Sequence, residues 1–99
     1  MMTAVSEFDA RIEMKAFIDR ARAPYSQWYV GITADPDGRL AEHGLQESDW
    51  YIVRRLASAE AARRLAEHLL KLGCEGGPCG GDDATTAVYA YWKRGHTTP

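Results

Sequence analysis

The feature that most constrains the fold is the segment 27–34, in which strongly apolar residues alternate with tyrosine, glycine and threonine along the chain. Its side chains fall into two sets on opposite sides of an extended backbone: Trp28, Val30 and Ile32 on one, and Tyr29, Gly31 and Thr33 on the other. This alternation of aromatic and β-branched residues predicts a β-strand. Gly31 inside the strand further predicts either a bulge or a close approach of another group to the backbone.

Helix signals and further strand patterns surround this segment. Residues that favour a helix start are Ser6, the pair Asp35 and Pro36, and Ser58, and residues that favour a helix end are Pro24, Gly44 and Gly73. With the apolar spacing they predict helices over 7–22, 36–43 and 59–72 and further strands over 49–57 and 85–93. The glycine-rich segment 73–83 is predicted to be a connector, with a backbone anion nest as the alternative.

The length and composition describe one small globular unit. A chain of 99 residues has room for a single modest core. We therefore predict one α+β domain over 1–99, with the order α-β-α-β-α-β. Three helices would pack on a small, mostly antiparallel three-stranded sheet, and 96–99 would form a frayed tail. The first nine residues lack the regions of a secretory signal and no apolar run could cross a bilayer, so a cytoplasmic protein without a membrane partner is expected.

The charge balance gives no global sign of nucleic-acid binding, because the formal net charge is -2. A nucleic-acid partner would therefore need a local basic patch. The candidates for such a patch are Arg54, Arg55, Arg63, Arg64, Lys71, Lys93 and Arg94. A solvated basic face balanced by acidic residues elsewhere is the alternative. The sequence leaves the oligomeric state open.

The two cysteines, Cys74 and Cys79, are spaced more widely than those of a CxxC redox or zinc motif. This spacing favours free thiols in a reducing compartment over a structural zinc site.

A second pattern joins the first strand to the helix that follows it. A Tyr-Val-Gly sequence begins at Tyr29, Arg39 follows ten residues later, and His43 lies four residues after Arg39 on the same helix face. In this pattern the chain resembles the GIY-YIG nuclease superfamily, whose Tyr-(Ile/Val)-Gly strand precedes a helix with a similarly spaced arginine and histidine or tyrosine. Glu67, in the third predicted helix, looks like the family's metal-binding glutamate, so the resemblance covers about residues 27–72.

The resemblance implies a metal-dependent phosphodiesterase with four catalytic residues. Glu67 would bind Mg²⁺ or Mn²⁺, which polarises a phosphoryl oxygen. The guanidinium of Arg39 would bind the phosphate. Tyr29 and His43 would transfer protons.

The chain departs from the family at its first motif, because no Gly-Ile-Tyr strand precedes Tyr29. We expect the C-terminal strand 85–93 to take that place beside the strand 27–34. Tyr89 or Tyr91 would then replace the missing tyrosine.

A second departure is that the sequence contains no asparagine, whereas the family has one that braces the site. Asp82 and Asp83 lie in the corresponding region. Together with Gly31 and the two C-terminal tyrosines, they are the supporting site candidates.

Three functions are consistent with these patterns. A GIY-YIG-like domain that has lost its chemistry and acts as a binding module ranks first, because of the two departures. A metal-dependent endonuclease acting on nucleic acid ranks second, and an unrelated α+β protein ranks third.

Overall fold

The structure is a computed structural model, and it describes residues 4–46, 48–76 and 84–97. Three helices lie in the described residues: α1 (Glu7–Arg20), α2 (Pro36–Glu42) and α3 (Ala59–Lys71). Four strands accompany them: β1 (Trp28–Thr33), β2 (Tyr51–Arg55), β3 (Glu75–Gly76) and β4 (Ala87–Trp92). A short 3₁₀ turn, Tyr25–Gln27, leads into β1. The predicted α+β class is confirmed.

The sheet is four-stranded and mixed, with the order β2-β4-β1-β3. β4 lies in the middle and is antiparallel to both neighbours, whereas β3 is parallel to β1. The prediction of a three-stranded sheet was therefore wrong by one strand. The additional strand, β3, lies in the segment that was predicted to be a connector. Gly73 adopts a φ of 119°, and the chain turns back there after α3, so that Glu75 pairs with Tyr29.

The expected pairing of the C-terminal strand with the first strand is confirmed. β4 pairs with β1 along its whole length, with Tyr91 opposite Tyr29 and Tyr89 opposite Gly31. The two tyrosines therefore lie beside the Tyr-Val-Gly motif, as predicted.

The helix starts follow the predicted side-chain caps. Ser6 Oγ accepts a hydrogen bond from the Asp9 N–H at 3.0 Å, and Ser58 Oγ accepts one from the Ala61 N–H at 3.1 Å. At the start of α2, Asp35 Oδ1 accepts from the Gly38 N–H at 3.1 Å. These bonds satisfy backbone donors that have no partner within the helix.

The two faces of the sheet are covered differently. α1 and α3 cover one face and bury the main core, whose largest members are Trp28, Val30, Met14, Ile18, Leu65 and Leu69. A smaller cluster with Leu40 from α2 and the tyrosines of β4 occupies the other face. In the described part of the chain, no helix is long and apolar enough to cross a membrane.

Candidate functional site

The face that carries α2 holds most of the predicted site. Residues alternate between faces along a strand, so Tyr29 of β1 and Tyr89 and Tyr91 of β4 project to the same side. His43, at the end of α2, packs among them with ring centroids 5.0 Å from Tyr29, 5.6 Å from Tyr89 and 5.0 Å from Tyr91. We call these four residues the tyrosine–histidine cluster.

His43 connects the two tyrosines of β4 through both of its ring nitrogens. Its Nε2 lies 3.0 Å from the Tyr89 hydroxyl, and its Nδ1 lies 3.1 Å from the Tyr91 hydroxyl. Which tyrosine donates to His43 and which accepts from it depends on the tautomer of the imidazole, because a neutral ring donates through one nitrogen and accepts through the other. The two hydrogen bonds fix the orientation of the ring.

Both tyrosines of β4 are buried, with 2% and 0% of their surface exposed for Tyr89 and Tyr91 respectively. Burial raises the pKa of Tyr89 to about 12 and also raises the pKa of Tyr91, because a phenolate loses its hydration there. The negative charge that Tyr29 would carry raises both values further. At neutral pH these two residues are therefore phenols that can donate a hydrogen bond but are not nucleophiles.

Tyr29 is the most accessible of the three tyrosines in the cluster. It is half-buried, and its ring packs on those of Tyr91 and Tyr89 at centroid distances of 5.5 Å and 6.5 Å. Gly31 is next on the same face, and an added Cβ there would lie 2.6 Å from Tyr89 Cζ. The predicted close approach to Gly31 is therefore made by the ring of Tyr89.

Arg39 lies on the same side of the sheet but at its surface. Its side chain is 48% exposed, and its guanidinium lies 3.9 Å from the Glu42 carboxylate. Its positive charge acts to lower the pKa of Tyr89, against the larger effect of burial. Arg39 therefore contributes a positive charge on this side of the sheet, and the Glu42 carboxylate lies next to it.

Glu67 lies on the other side of the sheet from the cluster. It belongs to α3, which buries Leu65, Ala66 and Leu69 against the core that contains Trp28. Helical geometry turns Glu67 away from those residues, and it is exposed. The structure therefore brings together Tyr29, His43, Tyr89 and Tyr91, with Arg39 nearby, but it does not bring Glu67 to them.

The other candidate metal ligands do not form a site within the described residues, where no group of three or more His, Cys, Asp or Glu side chains could hold a metal ion. Asp82, Asp83 and Cys79 lie outside the described residues. Cys74 is buried, and burial raises the pKa of its thiol to about 11.

A groove at one end of the sheet was not identified from the sequence. It has a volume of about 630 Å³ and is lined by Gln27, Trp92, Lys93, Arg94, Gly95 and Thr97. The guanidinium of Arg94 lies 5.1 Å from the centre of the Trp92 ring, and the ring of Trp50 is nearly perpendicular to that of Trp92, with the two centroids 6.2 Å apart. We call it the aromatic–basic groove. The consecutive Trp92, Lys93 and Arg94 were its sequence signal: Trp92 was assigned to the last strand, and Lys93 and Arg94 were named among the candidates for a local basic patch, with a solvated basic face as the alternative.

Comparison with known proteins gives no family for this chain: no protein-family model, no curated protein and no solved structure matches it.

Proposed function

We propose that this domain is a GIY-YIG-like binding module that takes single-stranded nucleic acid in the aromatic–basic groove and has lost metal-dependent cleavage. The observation that carries the proposal is the separation of Glu67 from the tyrosine–histidine cluster by the sheet. A metal ion held by Glu67 would be on the wrong side of the sheet to polarise a phosphate bound near Tyr29 and Arg39. Loss of the metal-dependent cleavage typical of GIY-YIG nucleases is therefore the interpretation that best fits this arrangement.

The groove supports the choice of partner. Single-stranded nucleic acids bind where aromatic rings that stack with bases adjoin cations that bind phosphates. Trp92 supplies the ring, and Lys93 and Arg94 supply the cations. Lys93 Nζ already pairs with Glu75 Oε2 at 2.6 Å, so Arg94 provides most of the net positive charge. Among the described residues, the lining of the groove includes no carboxylate, and Glu75, an acidic side chain close to it, is the one paired with Lys93.

The binding test is a fluorescence-anisotropy titration with a labelled oligothymidylate at several salt concentrations. We expect affinity that falls with salt, because bound phosphates release counterions. Arg94→Gln should weaken binding by roughly 3- to 10-fold and reduce the salt slope by about 0.7, the value for one phosphate contact on a single strand. Quenching of tryptophan emission should accompany binding if a base stacks on Trp92.

The matched control is Arg64→Gln, which removes the same charge from the exposed surface of α3. Arg64 pairs with Glu7 and Glu60, and exposed pairs of this kind contribute little to stability. Equal affinities of the Arg94 and Arg64 variants, or no binding at low salt, would contradict the proposal.

The alternative function is a metal-dependent endonuclease, favoured by the presence of Arg39 on the same side as Tyr29 and His43. A plasmid-nicking assay with Mg²⁺ or Mn²⁺ separates the two. The binding-module proposal expects no nicking above the level without protein. Nicking that requires the metal and is abolished by Glu67→Ala would establish the endonuclease instead.

A further inference from the structure

A second aromatic ring lies next to the aromatic–basic groove. Trp50, just before β2, is the neighbour of Trp92 across the sheet, and its carbonyl accepts a hydrogen bond from the Trp92 N–H at 3.0 Å. The planes of the two rings meet at 87°, and their centroids are 6.2 Å apart. Trp50 is 37% exposed and does not line the groove. The aromatic surface that begins at Trp92 therefore continues onto Trp50.

Two other rings hold Trp50 in a fixed orientation. Besides Trp92, Phe17 of α1 packs on it, with the centroids 5.5 Å apart and the planes at 45°. Phe17 also packs on Trp28, which is buried in the main core, at a centroid distance of 5.9 Å. A ring held in this way loses little freedom when a ligand stacks on it, so the entropic cost of binding is small.

A second pocket, of about 280 Å³, lies against Trp50. We call it the Trp50 subsite, and its lining residues are Phe17, Arg20, Ser48, Asp49, Trp50 and Tyr51. Arg20, in the last turn of α1, is exposed and forms no ion pair with another described residue. The subsite therefore combines an aromatic ring with a cation, as Trp92 and Arg94 do in the groove.

The described lining of the Trp50 subsite also includes one carboxylate, that of Asp49. Its side chain is only 4% exposed, and Oδ2 accepts hydrogen bonds from the Gln46 N–H at 2.8 Å and from His96 Nε2 at 2.7 Å. These two donors and, to a smaller degree, the charge of Arg94 hold the pKa of Asp49 below its usual value. The carboxylate is thus turned towards donors of its own chain, and Arg94 lies close to both pockets.

We propose that the Trp50 subsite binds a second nucleotide of the strand that occupies the aromatic–basic groove, with a base on Trp50 and a phosphate on Arg20. The inference rests on the proposed function and extends it to a site for two adjacent nucleotides. Successive bases of a duplex strand are parallel and roughly 3.4 Å apart, whereas these two rings are nearly perpendicular and 6.2 Å apart. A strand must therefore extend and turn between the two nucleotides, which selects single strands over duplexes.

The first test is an NMR titration of the nitrogen-15-labelled chain with hexathymidylate, which needs no variant. The chain has three tryptophans, so it gives three indole N–H signals. Those of Trp50 and Trp92 should shift together with one Kd, and that of Trp28, which is fully buried, should shift least. A shift of Trp92 without Trp50 would overturn the second subsite but not the proposed function. No shift of either signal would overturn both.

The second test compares the affinities of variants for labelled hexathymidylate. Arg20→Gln should weaken binding by roughly 3- to 10-fold and reduce the salt slope by about 0.7, the value for one phosphate contact on a single strand. Trp50→Leu keeps an apolar side chain against Phe17 but removes the ring, and it should weaken binding by about 5- to 100-fold. Arg64→Gln is again the matched control for the loss of a surface charge.

Arg94→Gln separates the two possible failures. If it weakens binding while Arg20→Gln behaves like Arg64→Gln, the groove binds the strand alone and the second subsite is wrong. If neither Arg94→Gln nor Arg20→Gln weakens binding, the proposed function is wrong as well. A hairpin duplex that displaces the labelled strand as well as unlabelled hexathymidylate does would also overturn the inference, because a duplex cannot place stacked bases on two perpendicular rings.

Discussion

The ring of Tyr89 lies directly over the α-carbon of Gly31, on the neighbouring strand, in the space that a side chain would otherwise fill. This contact lets Tyr89 reach His43 on α2 and connects the first strand of the sheet, the last strand and the second helix. A side chain at position 31 would displace the tyrosine and break that connection.

The first prediction concerns this contact. Gly31→Ala should lower the free energy of unfolding by about 1–3 kcal/mol, since the new methyl group overpacks a buried position. Urea denaturation measures the effect. Gly95→Ala is the matched control, because a Cβ there meets no atom within 4 Å. Equal losses in the two variants would mean that Tyr89 moves aside without energetic consequence.

The second prediction concerns alkaline pH. Tyr89 titrates at about 12 in the folded chain, whereas an unperturbed tyrosine titrates at 10.0. The unfolded chain therefore loses this proton first, so the contribution of Tyr89 to stability is complete below pH 10 and is lost as the pH rises from 10 to about 12. The loss is at most about 3 kcal/mol. Unfolding curves of the unmodified chain and of Tyr89→Phe should show a smaller decrease over this range for the variant.

The third prediction concerns the link between the C-terminal segment and the loop before β2. Asp49 Oδ2 accepts hydrogen bonds from the Gln46 N–H at 2.8 Å and from His96 Nε2 at 2.7 Å, and its side chain is only 4% exposed. The Gln46 N–H, followed by His96, holds the pKa of Asp49 below its usual value. Asp49→Ala should lower the free energy of unfolding by about 1–3 kcal/mol at pH 7.

The pH dependence of this effect provides its control. A lowered pKa stabilises the folded chain above the pKa of the unfolded carboxyl, and the stabilisation is lost as the pH falls through the folded value. The difference between Asp49→Ala and the unmodified chain should therefore shrink below about pH 4. A difference that stays constant down to pH 2 would show that packing, not the carboxylate, accounts for the loss.

The fourth prediction concerns the thiol of Cys74. It is 6% exposed and its pKa is raised to about 11, so little thiolate forms at neutral pH. In a Cys79→Ser background, Cys74 should react with a disulfide reagent at the rate of global unfolding and react at once in urea. Rapid reaction of the folded chain would show that the thiol is accessible.

Much of the local structure could be predicted from the sequence because it depends on neighbouring residues. The caps at Ser6, Asp35 and Ser58 satisfy backbone donors a few residues away, and each lies where the sequence placed it. The alternation around Trp28 likewise depends on the period of two that every strand has. By contrast, β3 was missed, because a two-residue strand has no periodicity of its own and forms only through its pairing with β1.

The candidate site could be predicted only in part. The resemblance to the GIY-YIG superfamily was what grouped Tyr29 with His43, and the expected pairing of the C-terminal strand then added Tyr89 and Tyr91. Glu67 could not be placed in the same way, because its position depends on which face of the sheet α3 covers.

What the sequence by itself determined is therefore the three helices, the strands β1, β2 and β4, the helix caps and the alternation of side chains along these strands, since these follow from backbone geometry over a few residues. Only the tertiary structure decided that β4 lies between β1 and β2, that α3 packs on the face opposite the tyrosine–histidine cluster, and that Trp92 and Arg94 border one groove. The physical reason is that these arrangements depend on burial of apolar surface contributed by residues far apart in the chain, and no local pattern records which surfaces meet.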